Sequence, residues 1–156
     1  MDVNAAHALI DQFRETFEGT RPNWITDGRP ETAVLGLLDS FTEAQSHRPP
    51  APGARTVAEH TAHLWYSLDL FLKRVRGEDP KAEWETSFDL HGRDWATLKS
   101  DLRSAYEACL EVLAGNRDKP IDQWPPIHIA GLSAMTAHNA YHLGAIRQIG
   151  LVAAGR

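Results

Sequence analysis

Histidine is the residue in this sequence with the widest chemical reach, and it occurs at positions 7, 47, 60, 63, 91, 128, 138 and 142. A neutral imidazole offers a nitrogen lone pair to a divalent ion, and zinc takes such nitrogens at about 2.0–2.1 Å. His138 and His142 stand at i,i+4 in a stretch free of proline. On an α-helix that spacing puts both side chains on one face, with Cβ atoms about 5–6 Å apart, so both rings can reach one ion. The spacing alone is a weak signal, since eight histidines in 156 positions give roughly 0.4 accidental pairs of this kind.

A third ligand has to come from another segment, and the stretch after Val57 offers His60 and His63. With Val57 at zero on a helical wheel, the apolar stripe of Val57, Thr61, Leu64, Leu68, Phe71 and Val75 centres near ~0–20°. His60 falls at about 300° and His63 at about 240°, so the wheel mildly favours His60. Position 63 borders the stripe, which is permissible where two helices flank an opening to solvent. If His60 is not a ligand, exposure to solvent ranks ahead of a role as imidazole partner or proton shuttle. His7, His47, His91 and His128 have no partner at ligand spacing and read as ordinary polar residues.

Other residues carry weaker signals. A zincin-type protease is excluded, because that motif needs Glu directly after its first histidine and Asn139 stands there. Asn139 reads as a surface polar group or a neighbour of the ligands, not as a catalyst. Trp65 or Tyr66, just beyond His63, could line a metal pocket, while the five tryptophans as a group read first as core or loop anchors. Glu59 and Asp69 could orient imidazole N–H groups, although solvated helix charges are the commoner fate. Cys109 reads as a small hydrophobe, since no helix start or adjacent histidine lowers its pKa.

The elements that must position these side chains are helices. Proline and glycine divide the chain into pieces of helical length, and alternation of β-branched residues is nearly absent. A first helix starts near Val3, carries Leu9, Ile10, Phe13 and Phe17 inward, and stops at Gly19 before Arg21-Pro22. A loop with Trp24 and Gly28 leads to a short segment begun by Pro30-Glu31, with Val34, Leu37, Leu38 and Phe41 on one face. Arg48-Pro49-Pro50-Ala51-Pro52-Gly53 cannot be helical and reads as a connector within one domain. Thr56 and Glu59 then have capping-box spacing for a helix from Val57 to about Arg76. Asp94 can cap a further helix carrying Leu98, Leu102, Ala105, Cys109 and Val112, ending at Gly115-Asn116. The last helix follows Pro125-Pro126 and reaches about Val152, with Leu132, Met135, Ile146, Ile149 and either Tyr141 or His142 facing inward. Four long amphipathic segments and one short one make an all-α four-helix bundle in a single domain, residues 1–156.

Composition narrows the functional classes. With 42% hydrophobic and 24% charged residues the chain can build a core of its own. Its formal charge of −5 argues against nonspecific nucleic-acid binding, and no apolar run approaches the roughly 20 residues that span a bilayer. A single cysteine and the absence of a secretory pattern after Met1 point to a cytoplasmic protein.

The segment Thr56-Val57-Ala58-Glu59-His60-Thr61-Ala62-His63-Leu64 resembles the first ligand helix of the DinB/YfiT-like superfamily of metal-dependent proteins, in which the ligand histidine directly precedes an aliphatic residue. Ala137-His138-Asn139-Ala140-Tyr141-His142-Leu143-Gly144-Ala145-Ile146-Arg147-Gln148-Ile149 resembles that family's closing helix, and Phe17-Glu18-Gly19 before a Trp loop extends the likeness loosely over the chain. The resemblance selects His63 over His60 and implies a metal site of His63, His138 and His142 for zinc, nickel or iron. It implies an up-down-down-up bundle (a DinB-like domain) and homodimers. It also implies, for some members, transfer or isomerisation with a low-molecular-weight thiol such as mycothiol, bacillithiol or glutathione, acting on a small-molecule substrate. Three further readings compete with thiol chemistry: hydrolysis by metal-activated water, a structural or sensory ion without turnover, and an interaction module whose histidines bind nothing.

Overall fold

The computed structural model describes residues 5–21, 23–153 and 155. Among the described residues there are six α-helices: α1 (Ala5–Glu18), α2 (Val34–Asp39), α3 (Glu43–Ser46), α4 (Val57–Val75), α5 (Trp95–Ala114) and α6 (Pro126–Ala153). Single 3-10 turns at Pro30–Thr32 and Ile121–Gln123 precede α2 and α6, and no strand occurs among the described residues. The expected start of the first helix near Val3 lies outside the described residues, as does Pro22.

The caps fall where short-range chemistry puts them. Thr56 and Glu59 close a capping box at the start of α4, and Asp94 accepts from the Thr97 N–H at the start of α5. At the end of α1, Gly19 takes φ +69°, and a Cβ there would lie 2.2 Å from the Arg29 carbonyl oxygen. Only glycine lets the chain turn so tightly against the next loop.

The second segment differs from its expectation. Instead of one helix reaching Phe41, it breaks into the Pro30 turn, α2 ending at Asp39, and the extra helix α3, whose Thr42–Gln45 capping box has a spacing that is visible in the sequence. Phe41, released from the helix, packs edge-on where Gly150 of α6 has no side chain.

The four long helices enclose a core that includes Phe13, Phe17, Leu64, Leu68, Leu98, Leu102, Leu132 and Ile146. Their directions follow from which residues meet. His60 meets His142, His63 meets His138, and Phe71 lies against Gly131, so α4 and α6 are antiparallel. His7 approaches Asp118 while Phe13 and Phe17 pack on Tyr106, so α1 is antiparallel to α5. Asn116, just after α5, bonds to His128 in the first turn of α6. Arg93, just before α5, stacks over Trp65 in the first half of α4. The order is therefore up-down-down-up, with α4 and α5 parallel.

Parallel neighbours cannot be joined by a tight turn. The connection over residues 76–94 must travel back along the bundle, and in doing so it crosses the half of α4 that carries His63.

Close approach of α4 and α6 depends on Gly131, where a Cβ would come within 2.4 Å of the Phe71 ring. Gly131→Val is expected to lose about 1–3 kcal/mol of stability by overpacking. Urea denaturation of the two proteins checks this, and an unchanged or higher midpoint would show that the seam has slack.

Candidate metal centre

The site is built from two antiparallel helices and the crossover. His63 on α4 and His138 and His142 on α6 offer ring nitrogens that all lie within 4.8 Å of one another. The Nε2 atoms of His63 and His138 are 3.0 Å apart. Two nitrogens held by one tetrahedral zinc at about 2.0–2.1 Å would stand roughly 3.3 Å apart, so only a small opening separates this pair from ligand geometry. The Nδ1 atom of His138 is buried without a hydrogen-bond partner, so the ring is not committed to any competing network. Three imidazole donors, two of them nearly fully buried, could hold a metal ion.

The structure separates His60 from His63 in a way that the helical wheel did not. His60 is half-buried, not exposed as its ranking had it, and its Nδ1 lies 2.8 Å from Nδ1 of His142. One of the two nitrogens donates a proton to the other. This contact occupies Nδ1 of His142 and leaves Nε2 as that ring's free nitrogen. His60 thus touches a member of the cluster without belonging to it.

The crossover supplies the outer wall. Phe88 lies parallel to the His63 ring, with centroids 4.0 Å apart and planes 3° apart, and Ser87 Oγ is 2.8 Å from His63 Nδ1. Arg55 places its guanidinium 4.4 Å above the Phe88 ring while binding Glu59 at 2.8 Å. Trp84 packs near His63 and is 54% exposed; Tyr141 packs edge-on against His142 and is 72% exposed. Each of these exposed rings touches one imidazole of the cluster. The backbone N–H of Glu83 donates to the Tyr66 hydroxyl, which pins the crossover to α4.

Burial dominates the electrostatics. Desolvation, with the neighbouring His138, His60 and Arg55 charges adding, pushes His63 from 6.5 down to about 4. The same cause, reinforced by His138, His63 and His60, takes His142 down to about 3. Burial also lowers His138, and it lowers His60 despite the opposing pull of Glu59. All four rings are neutral near pH 7, the state in which an imidazole can ligate.

Several sequence expectations meet the structure differently. Tyr141 points outward and His142 inward, which resolves the alternative left open for α6. Asn139 is fully buried, not at the surface, and neither its Oδ1 nor its Nδ2 has a partner. His128 is also buried and bonds to Asn116, so it is not an ordinary surface residue. Trp95 and Trp124 are core residues as expected, whereas Trp24 and Trp84 are exposed. Glu59 is engaged by its cap and by Arg55, and Asp69 by Lys73. Burial pushes the Cys109 thiol up to about 12, in keeping with a packing role. Sequence reasoning does not find Ser87 and Phe88. No local pattern marks them, because only the crossover brings them to His63.

A family model describing the DinB superfamily matches residues 27–146. The chain belongs to the DinB superfamily. No curated protein and no solved structure matches it. The match covers α2 through most of α6 and takes in all three clustered histidines of this DinB protein.

The depressed histidines make the metal-free DinB fold sensitive to acid. Between pH 6.5 and about 4 the unfolded chain binds protons at these positions and the folded chain does not. Their contribution is therefore intact above pH 6.5 and is lost as pH falls through that window. Urea midpoints measured with chelator are expected to drop from pH 7 to pH 4.5, and the drop should shrink in His142→Phe. A midpoint independent of pH would show that the rings are charged or solvated.

Proposed function

We propose that this DinB protein holds a divalent ion (zinc, nickel or iron) on His63, His138 and His142 and uses it to activate a low-molecular-weight thiol toward a small-molecule substrate. The observation that carries the reading is the convergence of three ring nitrogens from two helices, with exposed aromatic side chains packed against two of the imidazoles. The thiol rests on the likeness to thiol-dependent members of the superfamily. A bound ion would supply Lewis acidity, lowering the pKa of a thiol at a coordination position that the protein leaves free.

The chain's own residues prepare that chemistry. Burial keeps the imidazoles unprotonated, so no proton has to be displaced from the donor set at neutral pH. His60 fixes the orientation of His142 through the Nδ1–Nδ1 contact. Phe88 covers one face of His63 and keeps water from it. Trp84 and Tyr141 offer exposed ring faces against which the organic part of a substrate can lie. No helix among the described residues is long and apolar enough to cross a membrane, and one buried cysteine fits a reducing cytoplasm.

Protein purified without chelator is expected to contain one ion per chain by elemental analysis. Single replacements of His63, His138 or His142 by Ala should lose most of the affinity. His60→Ala should lose no more than about 10–100-fold. Turnover of electrophilic substrates should require added thiol. Hydrolysis without thiol would favour water activation, and a protein that neither carries nor takes up metal would refute the reading altogether.

We also propose a homodimer through the outer face of α6. Ile127, Leu151 and Val152 are exposed along it, and the space beside Gly144 is open. Light scattering at micromolar concentration is expected to give twice the chain mass, falling to the monomer value in Leu151→Glu. A monomer for the unaltered protein would rule the dimer out.

A further inference from the structure

Ser87 is almost fully buried in the crossover, and its hydroxyl has two neighbours. The Trp84 carbonyl oxygen lies 2.7 Å from Oγ, and His63 Nδ1 lies 2.8 Å from it on the other side. The carbonyl has only lone pairs to offer, so the single hydroxyl proton goes to it. Ser87 Oγ is then left as an acceptor toward the imidazole, and that contact requires the proton of His63 to sit on Nδ1. A neutral imidazole has one ring proton, so Nε2 of His63 carries the lone pair. Nε2 is the atom that faces His138 Nε2 at 3.0 Å, inside the cluster. With the proton on Nε2 instead, the Ser87 proton would have to turn to Nδ1 and leave the Trp84 carbonyl without it. The next residue, Phe88, stacks on the same imidazole and restrains rotation of the ring.

We propose that Ser87 is a positioning residue that locks His63 in the Nδ1–H tautomer through the relay from His63 Nδ1–H to Ser87 Oγ–H to the Trp84 carbonyl, so that Nε2 is permanently aimed at the ion. The proposal rests on the three-histidine reading for its consequence, but the tautomer itself exists without metal. Such a lock spares the ring a choice between two forms each time an ion arrives, and it ties the ligand geometry to the crossover. The side chain of Trp84 packs near the His63 ring while its carbonyl ends the relay, so the same turn contacts the imidazole and orients it.

The test uses the full chain. Long-range 15N–1H correlation spectra of the metal-free protein show which ring nitrogen of His63 bears the proton. Wild type is expected to show Nδ1–H, Ser87→Thr to keep it, and Ser87→Val, which has the same shape as Thr without the hydroxyl, to show a mixture or the Nε2–H form. Zinc affinity, measured by competition with a chromophoric chelator, should fall about 10–100-fold in Ser87→Val and stay near wild type in Ser87→Thr. A wild-type His63 protonated at Nε2, or a Ser87→Val protein with unchanged tautomer and affinity, would overturn the proposal. If the wild-type protein takes up no zinc, the metal reading fails and the spectra alone decide the relay. If Ser87→Val does not fold, as judged by circular dichroism, the wild-type spectrum decides: Nδ1–H supports the relay and Nε2–H overturns it.

Discussion

The antiparallel seam between α4 and α6 is the constraint on which the rest depends. Residues at i,i+3 on one helix face residues at i,i+4 on the other, so four imidazoles occupy two adjacent levels of one interface. Because the helices run in opposite directions, His60 falls opposite His142 and His63 opposite His138. The seam is narrow because Gly131 accepts the Phe71 ring, and that narrowness brings two Nε2 atoms to 3.0 Å.

Placing four imidazoles in one interface would be costly if they were charged. Burial resolves the conflict by discharging them, and neighbouring rings add to the shift at His63 and His142. The fold thereby exchanges acid tolerance for a set of lone pairs. Its two levels differ in role: at the level of His63 both Nε2 atoms face inward, while at the level of His142 a ring-to-ring hydrogen bond draws one nitrogen aside. The wall is completed by the crossover, which exists at this place because parallel α4 and α5 force the chain to return along the bundle.

The fully buried Asn139, with both amide atoms unpaired, is the least satisfied feature of the seam. Burying an unpaired polar group costs free energy comparable to a lost hydrogen bond or more. It sits on the same helix as the clustered histidines, directly after His138, on the side of α6 that faces the core.

Most helices were legible in the sequence because their determinants are local: Thr56 and Asp94 as caps, Gly19 and Gly115 as stops, prolines as breaks, and apolar residues at helical spacing. The His138–His142 pair and the family likeness were equally legible, since both are short-range patterns. Phe41 departs from the helical expectation because its position is set by Gly150, which is far away in sequence. The wheel leaned toward His60, whereas the cluster contains His63, because both lie on the flank of α4 that meets α6 and their difference depends on which level of the seam each one reaches. Ser87 and Phe88 carry no motif, and their meeting with His63 follows from the path of a long connection. The sequence by itself determined the helices and the donors, through interactions within a few residues of each. Tertiary structure decided which nitrogens converge and what surrounds them, because those contacts join segments tens of residues apart, and only packing of the whole bundle fixes their register.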